Sequence, residues 1–245
     1  MIEKDYHGQI KNRYLKVVER VYQLCEKFDR KPESVKLVVV TKGHSTEDIS
    51  EVISAGAKYL GENYVEETAR KKEELGKLSN QVDWHMIGHI QSRKTNLVPF
   101  VYDYIQSIDR FKVANRLNQQ LLKEGKKIPV LLQYNVGGEE QKYGWEASDE
   151  NNWHSLLPEF LDILGLSQLC VMGLMTMPPY STDNETALTN FYKLRKLRDF
   201  FQKNVDGLEL RELSMGTSHD FEAAIQAGAT IIRIGTAIMG ERIYK

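Results

Sequence analysis

Apolar side chains at Ile10, Tyr14, Val17, Val21, Leu24 and Phe28 recur in steps of three and four, which lays one stripe along a helix at about 5–29. Beyond it the pattern changes to short apolar runs separated by amphipathic stretches. The runs occupy 35–41, 59–61, 82–88, 102–108, 128–136, 169–177, 208–215 and 230–235. Several are continuously apolar and rich in Val or Ile, as strands covered on both faces must be. Between them, 46–55, 64–78, 110–123, 152–164, 185–204 and 218–227 read as helices. A shorter connection spans 91–97, and 237–244 reads as a short closing helix.

Eight strands, each followed by a crossover, require parallel pairing. Eight such units in 245 residues predict a single closed (β/α)8 TIM barrel over 1–245 with an extra N-terminal helix. A doubly wound open sheet is the alternative, but no GxGxxG follows the first strand and no Walker-type loop occurs. The 6 prolines and 17 glycines are scattered, so no linker divides the chain.

Composition narrows the function classes. Lys and Arg number 33 against 34 Asp and Glu, a net charge of −1, which argues against gripping nucleic acid through its phosphates. Two cysteines, Cys25 and Cys170, exclude a disulfide framework and suit a reducing compartment. No apolar run approaches the ~18 residues of a membrane span, and the first residues lack the apolar core of a secretory signal. The expectation is a cytoplasmic monomer with no nucleic-acid or membrane partner.

In such barrels the chemistry sits at the carboxyl ends of the strands. The first strand ends in VVVTKG, placing Lys42 at the mouth. A lysine there loses hydration, which disfavours its ammonium form, and a neutral amine can attack a carbonyl to form a Schiff base. A lysine that simply reaches solvent is the plainer alternative. The seventh strand runs into Ser214-Met215-Gly216-Thr217-Ser218-His219-Asp220, with Ser218 read as the N-cap of the following helix. The eighth ends in Arg233-Ile234-Gly235-Thr236. Amide-rich turns after the last two strands are where barrels hold phosphate. Arg233, in register with Gly235, needs an acceptor if buried, either a ring nitrogen of a ligand or a carboxylate. Asn63 follows the second strand and brings a side-chain amide to the rim. His85 and His89 lack the glutamate of HExxH and lie too far apart on a strand to share a metal, so they read as hydrogen-bonded histidines. The methionines of 172–177 read as barrel filling. A lysine for an aldehyde, a phosphate cradle and a cation for a ring nitrogen together describe pyridoxal 5′-phosphate.

The stretches VVTKG, GENYVEE, WHMIGHIQSRK, MGLMTM, LSMGTSHD and RIGT closely resemble those of the pyridoxal phosphate homeostasis protein family, which is alanine racemase N-terminal-domain-like. The resemblance runs from about residue 30 to Gly240. It implies a fold-type III barrel holding pyridoxal phosphate on Lys42, with phosphate contacts from 214–218 and from Gly235 and Thr236. It also implies that Arg233 faces the pyridine nitrogen and that Asn63 belongs to the site. The chain departs from the family pattern at Thr217, where a methionine is usual, at Thr41 in place of serine and at Arg93 in place of asparagine.

A non-catalytic carrier and regulator of the cofactor, serving pyridoxal phosphate-dependent apoenzymes, is therefore expected. Two alternatives are an amino-acid racemase using Lys42 as base, and a protein binding some other phosphorylated ligand. The resemblance implies that racemases of this fold add a β-rich domain and a tyrosine from the partner subunit. This chain ends about ten residues after its eighth strand, and no second base is evident. An arginine facing the ring nitrogen also disfavours its protonation and weakens the ring as an electron sink.

Overall fold

The computed structural model describes residues 7–139, 141–177 and 183–241. Eight parallel strands close into a barrel: β1 (Lys36–Val40), β2 (Tyr59–Glu62), β3 (Asp83–Met86), β4 (Tyr104–Ile108), β5 (Ile128–Asn135), β7 (Leu169–Met175), β8 (Glu212–Ser214) and β9 (Ile231–Ile234). Neighbours run β4-β3-β2-β1-β9-β8-β7-β5, and β4 pairs with β5 to close the ring. A two-residue strand, β6 (Trp145–Glu146), adds to β5 outside the ring and was not visible in the hydrophobic pattern.

Helices α2 (Thr46–Ser54), α3 (Val65–Leu75), α5 (Phe111–Glu124), α6 (Leu157–Leu164), α7 (Asn184–Asn204) and α8 (Phe221–Ala227) fill the expected crossovers. The 91–97 connection becomes a 3-10 turn, Ser92–Lys94, before a one-turn α4 (Val98–Val101). The helix expected over 152–164 is divided into a 3-10 stretch, Glu150–Leu156, and α6, with Pro158 in the first turn of α6. The closing helix α9 is Thr236–Met239, and positions 242–244 of its expected range lie outside the described residues.

The opening helix α1 is His7–Lys27; expected positions 5 and 6 lie outside the described residues. Its stripe of Ile10, Tyr14, Val17, Val21 and Leu24 is buried, and the helix packs against α2, α8 and α9. Most of the core lies between the strands and their covering helices. Inside the barrel a small apolar group of Val38, Tyr104, Leu131, Met175 and Ile231 is mixed with buried polar residues, among them His85, Gln106, Ser214 and Arg233. The 172–177 methionines thus divide: Met175 fills the barrel, while Met177 is exposed at its rim.

Candidate functional site

A cavity of about 520 Å³ opens at the carboxyl ends of the strands. It is within the range of small-molecule sites. Lys42, Asn63, Thr217, Ser218, Arg233, Gly235 and Thr236 all line it, seven residues from four strand ends. Ser214 and Gly216, read from sequence with the same turn, do not reach the wall. They stand behind it and shape it.

The peptide around Lys42 is braced from α3. Lys71, buried with 3% side-chain exposure, donates from Nζ to the Thr41 carbonyl at 2.9 Å and pairs with Glu62 at 2.6 Å and Glu67 at 2.7 Å. Thr41 donates its hydroxyl to Glu62 at 2.7 Å, and the Gly43 N–H donates to Glu67 at 2.8 Å. Both peptide groups flanking Lys42 are thus tied to one ion cluster. Burial pushes the Glu62 carboxyl up, against the pull of Lys71 and Thr41, and its Oε2 has no hydrogen-bond partner. Sequence reading missed this brace. The Glu67–Lys71 spacing of four on a helix was the available signal.

Arg233 is 3% exposed, and the acceptors it meets in the protein are a hydroxyl and a backbone carbonyl rather than a carboxylate. It donates to Ser214 Oγ and, at 2.8 Å, to the Thr176 carbonyl. Burial lowers its guanidinium to about 10, with Asp220 pulling the other way. Because guanidinium can only donate, Ser214 must accept from it and pass its own proton outward. Ser214 donates to Gln106 Oε1 at 2.6 Å, and Gln106 Nε2 meets His85 Nδ1 at 2.7 Å. His85 is 1% exposed, stacked on Tyr104 at 4.8 Å, and burial (with Lys36 adding repulsion) lowers it to about 3. A neutral ring accepting at Nδ1 completes a chain of donors that all point away from the arginine. Ser214 therefore has its hydroxyl committed to this chain rather than offered to a ligand.

The turn after β8 corrects a second expectation. Ser218 does not cap the following helix, because α8 begins only at Phe221 with Asp220 before it. The Asp220 carboxylate takes the Thr217 N–H at 2.6 Å and the Thr217 hydroxyl at 2.9 Å, closing residues 217–220 into a tight turn ahead of the helix. The added hydroxyl of Thr217 thus serves the turn itself. Ser218 Oγ instead accepts from Gly235 N–H at 3.2 Å and Ala237 N–H at 3.3 Å, stapling the two turns together. Its own O–H remains available to an acceptor in the cavity. Gly216 is required here: its φ is +93°, and a Cβ would lie 2.5 Å from Ala224 Cβ.

Across the cavity, a Cβ on Gly88 would sit 2.7–2.8 Å from Asn63, so this glycine lets β3 press Asn63 into place. The Asn63 amide oxygen is buried and has no hydrogen-bond partner. His89 lines the same side, with Nδ1 at 2.7 Å from Asp109 and its ring stacked on Tyr143 at 3.7 Å. Both histidines are hydrogen-bonded as the spacing suggested. Among the described residues no cluster of three metal-ligating side chains occurs, and no helix is long and apolar enough to cross a membrane.

With this geometry in hand, comparisons with known proteins are specific. The family described as alanine racemase, N-terminal domain, matches residues 18–243. A pyridoxal phosphate homeostasis protein of Aquifex aeolicus is 40% identical over 232 residues, covering 95% of this chain and 98% of that protein. The solved structure of PipY from Synechococcus elongatus, with pyridoxal phosphate bound, is 31% identical with a TM-score of 0.79, over 95% of this chain and all of that one. An alanine racemase of Clostridium difficile is only 14% identical, with a TM-score of 0.67, over 94% of this chain and 56% of its own, a likeness of fold alone.

Proposed function

The chain belongs to the pyridoxal phosphate homeostasis protein family, and on that premise we propose that it binds pyridoxal 5′-phosphate as a non-catalytic carrier and regulator of the cofactor. The observation that carries this reading is the convergence on one cavity of a braced lysine, an arginine held by neutral acceptors, and two stapled turns offering hydroxyls. The residues fit the group. Lys42 supplies the primary amine for its aldehyde, Ser218 and Thr236 offer hydroxyls to a phosphate beside Thr217 and Gly235 on the same wall, and Arg233 suits the pyridine nitrogen. The unpartnered oxygen of Asn63 gives a ligand donor something to meet. Ser214 and Gly216 serve indirectly, one by orienting Arg233 and the other by shaping the turn.

When bound, pyridoxal phosphate supplies an aldehyde that couples covalently to amines and a ring that stores electrons. The residues around it favour holding over turnover. Arg233 keeps a positive charge where a ring-nitrogen proton would have to sit. The brace from Lys71, Glu62 and Glu67 fixes the backbone that presents Lys42. We place the whole chain, 1–245, in one binding domain that acts as a cytoplasmic monomer and serves pyridoxal phosphate-dependent apoenzymes. The burial of the α1 stripe of Ile10, Tyr14, Val17, Val21 and Leu24 on its own barrel supports a single domain.

Purified protein incubated with pyridoxal phosphate is expected to turn yellow, and Lys42→Ala to lose the visible band. A band retained in Lys42→Ala overturns the assignment of the attachment point. Interconversion of alanine enantiomers by the loaded protein would favour the racemase reading. Ser218→Ala removes a hydroxyl donor of about 0.5–1.5 kcal/mol, so pyridoxal phosphate should bind about two- to tenfold more weakly. Pyridoxal, which lacks the phosphate, should be unaffected. Equal loss for both ligands would place Ser218 away from the phosphate.

A further inference from the structure

The residues assigned to the cofactor cluster after β1, β8 and β9, with Asn63 at the edge of that set. The arc of wall after β3 and β5, with His89, Gln91, Gln133 and Tyr143, is left without a role. We propose that this arc is a second subsite, for a primary amine, in which His89 accepts the amine's proton so that the amine can take the cofactor from Lys42. The proposal rests on the reading of Lys42 given above.

The argument starts at Asp109, whose side chain is 2% exposed. Both of its oxygens are engaged: Oδ2 with His89 Nδ1 at 2.7 Å and Oδ1 with Arg110 Nη1 at 2.6 Å. Arg110 is held in turn by the Ile90 carbonyl at 3.0 Å and the Ser92 hydroxyl at 3.2 Å. A carboxylate so held has no proton to give, so the Nδ1 of His89 carries one and donates. The ring stacks on Tyr143 with 17° between planes, which sets its tilt. A neutral imidazole in that tautomer has its lone pair on Nε2, and Nε2 has no hydrogen-bond partner among the described residues. An aspartate-oriented histidine with one unengaged nitrogen, on the wall of a ligand cavity, is arranged to accept a proton and to be stabilised once it has.

Proton acceptance is what handing over an aldehyde cofactor requires. At neutral pH a primary amine is an ammonium ion and cannot attack. One ammonium proton passes to His89 Nε2, and the freed nitrogen bonds to the cofactor carbon held by Lys42. Counting from an unprotonated carbon–nitrogen double bond, the lysine nitrogen takes the incoming amine's two remaining protons as its bond to the carbon breaks, and leaves as a neutral amine. The proton on His89 then returns to the released Lys42 amine. Nothing is oxidised or reduced, and the protons balance. The amine has two natural sources, a free amino acid or a lysine side chain of a receiving protein, and both present the same chemistry.

The test uses full-length protein loaded with pyridoxal phosphate and follows the rate at which amine shifts its visible band. Glycine is one arm, and a short peptide with a blocked amino terminus and one free lysine is the other. Faster displacement by one identifies the source. His89→Ala is expected to keep the loaded band and to slow displacement by about a hundredfold. Added imidazole should restore much of the lost rate, and glycine methyl ester, a weaker base, should be slowed less than glycine. Asp109→Asn, which removes the carboxylate that fixes the tautomer, should show a smaller loss in the same direction. Unchanged rates in His89→Ala with the band intact overturn the proposal, as does a loss that imidazole does not rescue. Absence of the band in the wild-type protein contradicts the Lys42 reading instead.

Discussion

Lys71→Met is expected to lower the free energy of unfolding by about 3–5 kcal/mol, because it leaves a buried carboxylate without its cation. Glu62 is fully buried, already has one unpartnered oxygen, and relies on Lys71 at 2.6 Å and on the Thr41 hydroxyl. Methionine fills a similar volume, so the loss measures charge rather than packing. The combined Glu62→Gln and Lys71→Met change should recover most of the stability, since removing both partners spares the desolvation penalty. The pH dependence has a definite sign. Burial raises the Glu62 carboxyl in the folded state, so its contribution is most favourable in acid and declines as pH rises through that raised value. Without Lys71 that decline should steepen, and the variant should be weaker relative to wild type at pH 8 than at pH 5. Denaturant melts at the two pH values measure this. A loss under 1 kcal/mol at pH 8 would mean that the cluster is dispensable. Lys71 also holds the Thr41 carbonyl, so the same variant should bind pyridoxal phosphate more weakly.

The second large effect is loss of stability in mild acid through His85. Its folded-state value, about 3, lies below the ordinary 6.5, chiefly because burial disfavours the charged ring. Between those values the unfolded chain binds a proton that the native protein refuses. The stability His85 confers is therefore present above about pH 6.5 and lost as pH falls toward 3. From the one-unit equivalence of about 1.4 kcal/mol, the wild-type protein should lose about 2–3 kcal/mol between pH 7 and pH 4.5 from this group. His85→Gln should flatten that part of the profile. A protonated ring would also turn Nδ1 into a donor and force the Gln106 amide to reverse, disturbing the chain that ends on Arg233. Ligand affinity should fall over the same range in wild type and less so in the variant. Identical stability profiles for the two proteins would contradict the account of a buried neutral ring.

What could be read in advance followed from local physics. Parallel strands buried on both faces are continuous apolar runs, so all eight barrel strands were visible, as was the stripe that seats α1. That Lys42, Asn63 and the turns after β8 and β9 would line one cavity was legible because barrels open their sites at strand ends. The misplacements have local causes of a subtler kind. Asp220 outcompetes Ser218 by folding back on Thr217, which delays α8 by three residues and frees Ser218 to staple the next turn. Ser214 was read as a phosphate contact, yet the arginine beside it claims its oxygen. The remaining partners meet only through the barrel's closure. Gln106 and Ser214 are 108 positions apart, and His89 and Asp109 are 20 apart on neighbouring strand ends. Residue spacing along one chain holds no record of such pairs.

Lys42 as the attachment point is the claim on which the rest depends. The most direct measurement is borohydride reduction of the loaded wild-type protein followed by peptide mass mapping. The account predicts a single stable pyridoxyl adduct on the peptide that contains Lys42. An adduct on another lysine, or none at all, would contradict it.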